Sequence, residues 1–188
     1  MKTLFLSLLL IAISAGMVHA QNPGERSRTV TIALEKALNK KIADITEADL
    51  ATVTELSLPH IHLPAFNDDD FAGLTKLKKL SFFSLFHKKA KPNEPAAISG
   101  RVFAKLSSLE ELNISADQLG QLPDDVFTGL TSLKVLKFSE VSMTRLPKSM
   151  LNMPKIETIY FSGKGLSKED YALLKKKLGD KLKVDPDE

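Results

Sequence analysis

The sequence predicts an α/β solenoid: short parallel strands stacked coil upon coil, with helical segments at both ends. Three observations predict it. A phrase of apolar residues recurs about every 24 residues, as Leu109, Leu112, Ile114, Leu119, Leu122, Pro123, Phe127, Leu130 and again as Leu133, Leu136, Phe138, Met143, Leu146, Pro147, Leu151, Met153. Self-similarity at a fixed period marks repeats that each bury an apolar edge on the next. Each phrase contains an apolar-x-apolar alternation, the pattern of a strand with one buried face. There is no cysteine, so disulfides, thiolate metal sites and a cysteine nucleophile are excluded, and packing alone must hold the coils together.

In chain order, residues 1–20 read as a secretory signal peptide. Lys2 supplies the positive start, residues 4–13 form an apolar run, and Val18 and Ala20 place small residues before a cut at Ala20–Gln21. The run is short for a bilayer span of about 20 apolar residues. Removing it takes only Lys2 among the charged residues, leaving 25 basic against 23 acidic, or +2. So small a charge does not imply general binding to polyanions.

Residues 21–49 are expected to form an N-terminal helical cap. Val30, Ala33, Leu34, Ala37 and Leu38 share one face at helical spacing, and Thr46 opens a second short helical turn. Repeats follow over 50–166. Aligned on the first apolar position, they start at Val53, Leu77, Leu109, Leu133 and Ile156, at intervals of 24, 32, 24 and 23. The long interval contains an insertion at 87–100, where Pro92, Pro95 and clustered lysines mark a loop.

Leu56 and Leu58, Leu80 and Phe82, Leu112 and Ile114, Leu136 and Phe138, and Ile159 and Phe161 are predicted to point inward. Phe71, Phe103 and Phe127 would fill the far side of the coils. Residues 167–188 form the C-terminal helical cap. There Ser167 is the N-cap, Asp170 holds the capping-box position, Tyr171, Leu174 and Leu178 make the apolar stripe, and Gly179 ends the helix.

The phrase L-x-x-L-x-L resembles that of leucine-rich repeat proteins, over about two thirds of the chain left after signal removal. The resemblance implies a curved solenoid with a parallel β-sheet on its concave face. The family's turn asparagine is replaced here by Ile61, Leu85, Asp117, Val141 and Lys164, so the turns need other partners for their backbone groups. The helical stretch before the first repeat is similar to the lead-in of internalin-like bacterial extracytoplasmic proteins.

Strand alternation assigns the outward residues. They are Glu55, Ser57 and Pro59; Lys79, Ser81 and Phe83; Glu111, Asn113 and Ser115; Val135, Lys137 and Ser139; and Thr158, Tyr160 and Ser162. Aromatic rings among small polar groups suit protein recognition. Lys79, Phe83, Glu111, Asn113, Lys137 and Tyr160 are therefore the expected partner-binding residues, with Phe83 and Tyr160 as anchors.

Catalysis finds no constellation. Glu110 and Glu111 are adjacent, and strand neighbours face opposite ways. Neither a His-Glu-x-x-His motif nor a Gly-x-Ser-x-Gly elbow occurs. Gly163-Lys164-Gly165 lacks the rest of a phosphate loop and reads as a turn. His60 and His62 share one side of an extended segment without an evident third ligand. The run Asn67-Asp68-Asp69-Asp70 lacks EF-hand spacing and reads as a solvated turn or helix start before Phe71. Asn113-Ile114-Ser115 is a glycosylation sequon placed on a strand.

The expected function is an exported, non-catalytic protein-binding module, periplasmic or extracellular, that uses the concave, outward-facing side of the sheet. It has no cofactor, no metal, no nucleic-acid partner and no membrane span after signal cleavage. The alternative is a surface-associated structural protein contacting an anionic envelope or matrix component. In that reading Lys88, Lys89 and Lys91 of the loop and the C-terminal lysines make the contact.

Overall fold

The structure is a computed structural model that describes residues 26–59, 66–83, 98–115, 121–139, 143, 145–162 and 167–184. Five strands fall where the alternation predicts them: β1 Glu55–Pro59, β2 Lys79–Phe83, β3 Glu111–Ser115, β4 Val135–Ser139 and β5 Thr158–Ser162. A sixth, β6 Leu182–Val184, extends the sheet beyond the expected repeats. All pair in parallel in chain order, β1 to β6. Sequence neighbours are therefore sheet neighbours throughout, as stacked coils require.

Register follows the repeat. Leu56, Leu80, Leu112, Leu136, Ile159 and Leu182 form one row across the sheet. All five predicted inward pairs are buried. Just before each strand the coils are also tied backbone to backbone. Thr54 O accepts from Lys78 N and Lys79 N, Lys78 O from Glu110 N and Glu111 N, and Glu110 O from Lys134 N and Val135 N.

Phe71, Phe103 and Phe127 lie in the core as expected. They belong to a continuous run of rings along the solenoid axis. Phe103 and Phe127 stack at 6.5 Å with planes 6° apart, Phe127 meets Phe138 edge-on at 6.0 Å, and Phe138 meets Phe161 at 6.1 Å. Gly129 is where two coils come closest. A Cβ there would sit 2.5 Å from the Cα of Ala104 and 2.7 Å from its carbonyl oxygen.

The N-terminal helix α1, Arg28–Leu38, packs on β1 through Val30, Ala33 and Leu34. Leu38 reaches the core from the last turn, but Ala37 is exposed, its methyl too short to do so. Thr46 caps the short α2, Glu47–Leu50, in a complete capping box with Asp49. Arg26 is buried: its Nε donates to Asp70 O at 2.9 Å and its Nη2 to Ala72 O.

Asp70, expected in a solvated turn or at a helix start, lies in a turn but is fully buried. Its carboxylate accepts from the backbone N–H of Ser27 and from that of Asn67 at 2.9 Å, pinning the chain before α1 to the first coil. Neighbouring Asp69 reaches Lys105 at 2.5 Å and Asp68 bonds Ser99. Among the described residues no group of three or more His, Asp or Glu could hold a metal.

The C-terminal helix α3, Lys168–Leu178, is capped by Ser167 Oγ, which accepts from Asp170 N at 3.0 Å. The capping box is not closed, because Asp170 Oδ2 turns to the previous coil and accepts from Leu146 N at 3.3 Å. Leu174 and Leu178 are buried, whereas Tyr171, expected on the same stripe, is 42% exposed. It stands in the first turn of α3. Gly179, at φ +54°, ends α3, and the next turn leads straight into β6. No described helix is long and apolar enough to cross a membrane.

Candidate functional site

Every second residue of the strands leaves the core, so the outer face is a grid of three columns. The first runs Glu55, Lys79, Glu111, Val135, Thr158. The middle one runs Ser57, Ser81, Asn113, Lys137, Tyr160, Lys183. The third runs Phe83, Ser115, Ser139, Ser162. Strands about 4.8 Å apart make the grid regular. The ladder hydrogen bonds fix the backbone spacing of these side chains.

The expected binding residues are all on this face. Lys79 Nζ pairs with Glu55 across β1 and β2 at 3.2 Å. Lys137 Nζ bonds Glu111 Oε1 at 2.7 Å and lies 5.7 Å from the centre of the Tyr160 ring. One lysine thus joins three neighbouring strands. A cation over an exposed ring contributes about 0.5–1 kcal/mol, and exposed ion pairs about as little. The arrangement orients side chains more than it stabilises the fold. Asn113 lies half-buried in the same column, between Ser81 and Lys137.

Phe83 and Tyr160 are 38% and 45% exposed, although the rows on either side of the face are apolar and buried. Three strand steps separate them, about 14 Å. They are two separate anchors, not one aromatic patch.

Glu110 and Glu111 part company, as the alternation requires. Glu110 lies just before β3 and bridges Lys134 Nζ at 2.7 Å and Lys78 Nζ. These lysines, Lys134 first and then Lys78, hold the Glu110 carboxyl down at about 2, and Glu110 in turn raises Lys134. Elsewhere Arg145 and Lys148 hold Asp124 at about 2, and Lys40 and Thr46 do the same for Asp49. Each lowered carboxyl is held by ion pairing at the surface. None is a carboxyl kept protonated by burial, as a general acid would be.

Lys183, one of the C-terminal lysines of the alternative reading, was expected in the helical cap and not on the sheet. It follows buried Leu182, points outward, and stands in register beside Tyr160. Several expectations lie outside the described residues. They are the signal segment 1–20, His60 and His62, the loop lysines Lys88, Lys89 and Lys91, the turn Gly163-Lys164-Gly165, and the asparagine positions Ile61, Leu85, Asp117, Val141 and Lys164. In α3, Lys175, Lys176 and Lys177 are exposed.

Residues 107–166 match the family model described as leucine rich repeat. Among solved structures the chain is similar to an internalin (InlF) of Listeria monocytogenes, at 11% identity and a TM-score of 0.36, over 84% of this chain and 54% of that one. It is also similar to internalin C2 of the same organism, at 18% identity and a TM-score of 0.32, over 85% and 86%. A secreted internalin-like protein, again of Listeria monocytogenes, gives 18% identity and a TM-score of 0.33, over 72% and 63%. The chain thus spans about half the length of the first of these. No curated protein matches the sequence.

Proposed function

We propose, from the premise that the chain is a solenoid of leucine-rich repeats, that it is an exported, non-catalytic protein-binding module engaging its partner through the outer face of the sheet. One observation carries this reading: Phe83 and Tyr160 stand exposed on an in-register sheet whose outward residues are otherwise mostly polar, Val135 excepted. Aromatic anchors bury much area for little side-chain entropy and dominate affinity where they occur. Lys79, Glu111, Asn113 and Lys137 supply the hydrogen-bonding rim. Export rests on Lys2, the apolar run after it and the small residues ending at Ala20.

The test is capture of a partner by the mature chain, repeated with Tyr160→Ala. A central aromatic anchor is worth about 1–4 kcal/mol, so affinity should fall by roughly 5-fold or more. Unchanged affinity with Tyr160→Ala and with Lys137→Glu overturns the outer face as the interface. N-terminal sequencing of exported material should begin at Gln21; a chain retained with Met1 contradicts export.

A further inference from the structure

The two halves of the outer face differ in charge. On β1–β3 the outward residues include Glu55 and Glu111. On β4–β6 they are Val135, Lys137, Ser139, Thr158, Tyr160, Ser162 and Lys183, with no carboxylate among them. Lys137 is already committed, bonded to Glu111 and leaning on the Tyr160 ring. Lys183 is exposed in register with Tyr160 on the strand opposite that of Lys137 and makes no ion pair among the described residues. The middle column therefore ends in a cation, an exposed ring and a second cation on three adjacent strands. Lys181, just before β6, is spent inside the fold, its Nζ donating to Ile156 O at 2.9 Å.

We infer that this half of the face receives an acidic segment of a protein partner. Resting on the outer-face reading above, the inference adds the partner's chemistry and its position. An apolar or aromatic side chain of the segment covers Tyr160. A carboxylate one or two residues away meets Lys183, and a second displaces or shares Glu111 at Lys137. Complementary charge steers and orients such a complex, while the buried ring supplies most of the affinity. A partner with like charge is repelled by both lysines, so the same residues give selectivity.

The experiment selects from a phage-displayed library of random dodecapeptides on the immobilised mature chain. Enriched peptides are resynthesised and titrated against wild type, Tyr160→Ala, Lys183→Glu and Phe83→Ala. All four proteins are first matched by circular dichroism and thermal midpoint. The inference expects winners rich in Asp and Glu beside an apolar residue, with affinity lost at least 10-fold in both Tyr160→Ala and Lys183→Glu. Affinity should also weaken steeply as salt rises from about 0.05 to 0.5 M.

Winners without acidic residues that still need Tyr160 or Phe83 overturn the inference and leave the outer-face reading standing. Winners indifferent to all three substitutions overturn both. A library that yields no enriched peptide overturns the inference, because an exposed and rigid site of this chemistry must select.

Discussion

Phe127 is the most informative residue to remove. Its ring is 2% exposed, stacked on Phe103 and set edge-on to Phe138, so it touches both the preceding coil and the sheet. Truncation to alanine forfeits about 1.5–3 kcal/mol of burial. It also forfeits about 0.5–1.5 kcal/mol for each aromatic pair. The neighbouring rings are held by their own coils and cannot collapse into the space, so a cavity cost adds to this. The total should be near the 3–5 kcal/mol typical of buried Phe→Ala, about 4 kcal/mol.

With a urea m-value of roughly 2 kcal/mol/M, the midpoint should drop by about 2 M. Phe83→Ala is the control. Its ring is on the outer face and 38% exposed, so its midpoint should move by less than about 0.5 M. The assay is urea unfolding followed by circular dichroism, with tyrosine fluorescence as a second probe. Both tyrosines, Tyr160 and Tyr171, lie C-terminal to Phe127. Coincident shifts by the two probes show that the loss at one coil is felt along the stack. If Phe127→Ala costs no more than Phe83→Ala, the run of rings does not hold the coils together and the packing account is wrong.

Two further outcomes follow from the same packing and charge. Gly129→Ala should destabilise by about 1–3 kcal/mol in thermal or urea unfolding, because its new methyl meets the backbone of Ala104 and only a shift of a whole coil relieves it. A neutral Gly129→Ala would mean that the coils are not in such close contact. Acidification is the second. Glu110, Asp124 and Asp49 have folded-state values of about 2, below the usual carboxylate range. Their contribution is therefore fully present above the unfolded value near 4 and lost as pH falls from about 4 toward 2. Urea midpoints measured down this window should fall, and Glu110→Gln should flatten the slope. A slope unchanged by Glu110→Gln would show that the Lys78–Glu110–Lys134 ladder carries none of it.

Most of the sheet was legible because one periodic rule governs it. Leu112 and Ile114 alternate with polar residues, and the same alternation returns one interval later at Leu136 and Phe138. The rule fixes which side chains face out without any knowledge of contacts. It failed at β6, although Leu182 follows Ile159 by 23 residues and Val184 completes the alternation. Gly179 occupies the phrase's first apolar position there, and the helical pattern running up to it obscured the strand.

Asp70 was illegible for a different reason. Its partners Arg26 and Ser27 lie more than forty residues away, and nothing local distinguishes it from Asp68 and Asp69. The ion pairs on the outer face have the same origin. That Lys137 bonds Glu111 and not a residue of its own strand depends on register, which the repeat implies, and on rotamer, which it does not.

The central claim, that successive coils stand in register and turn the same positions outward, can be tested directly because the chain has no cysteine. Ser115 and Ser139 are register partners on adjacent strands, and Ser162 stands one strand further on. Adjacent Cα atoms about 4.8 Å apart are within disulfide reach, whereas two strand steps, about 9.6 Å, are not. Under mild oxidation, Ser115→Cys paired with Ser139→Cys should cross-link within the chain, and Ser115→Cys paired with Ser162→Cys should remain as free thiols. Cross-linking of the distant pair in preference to the adjacent one contradicts the stacked, in-register sheet.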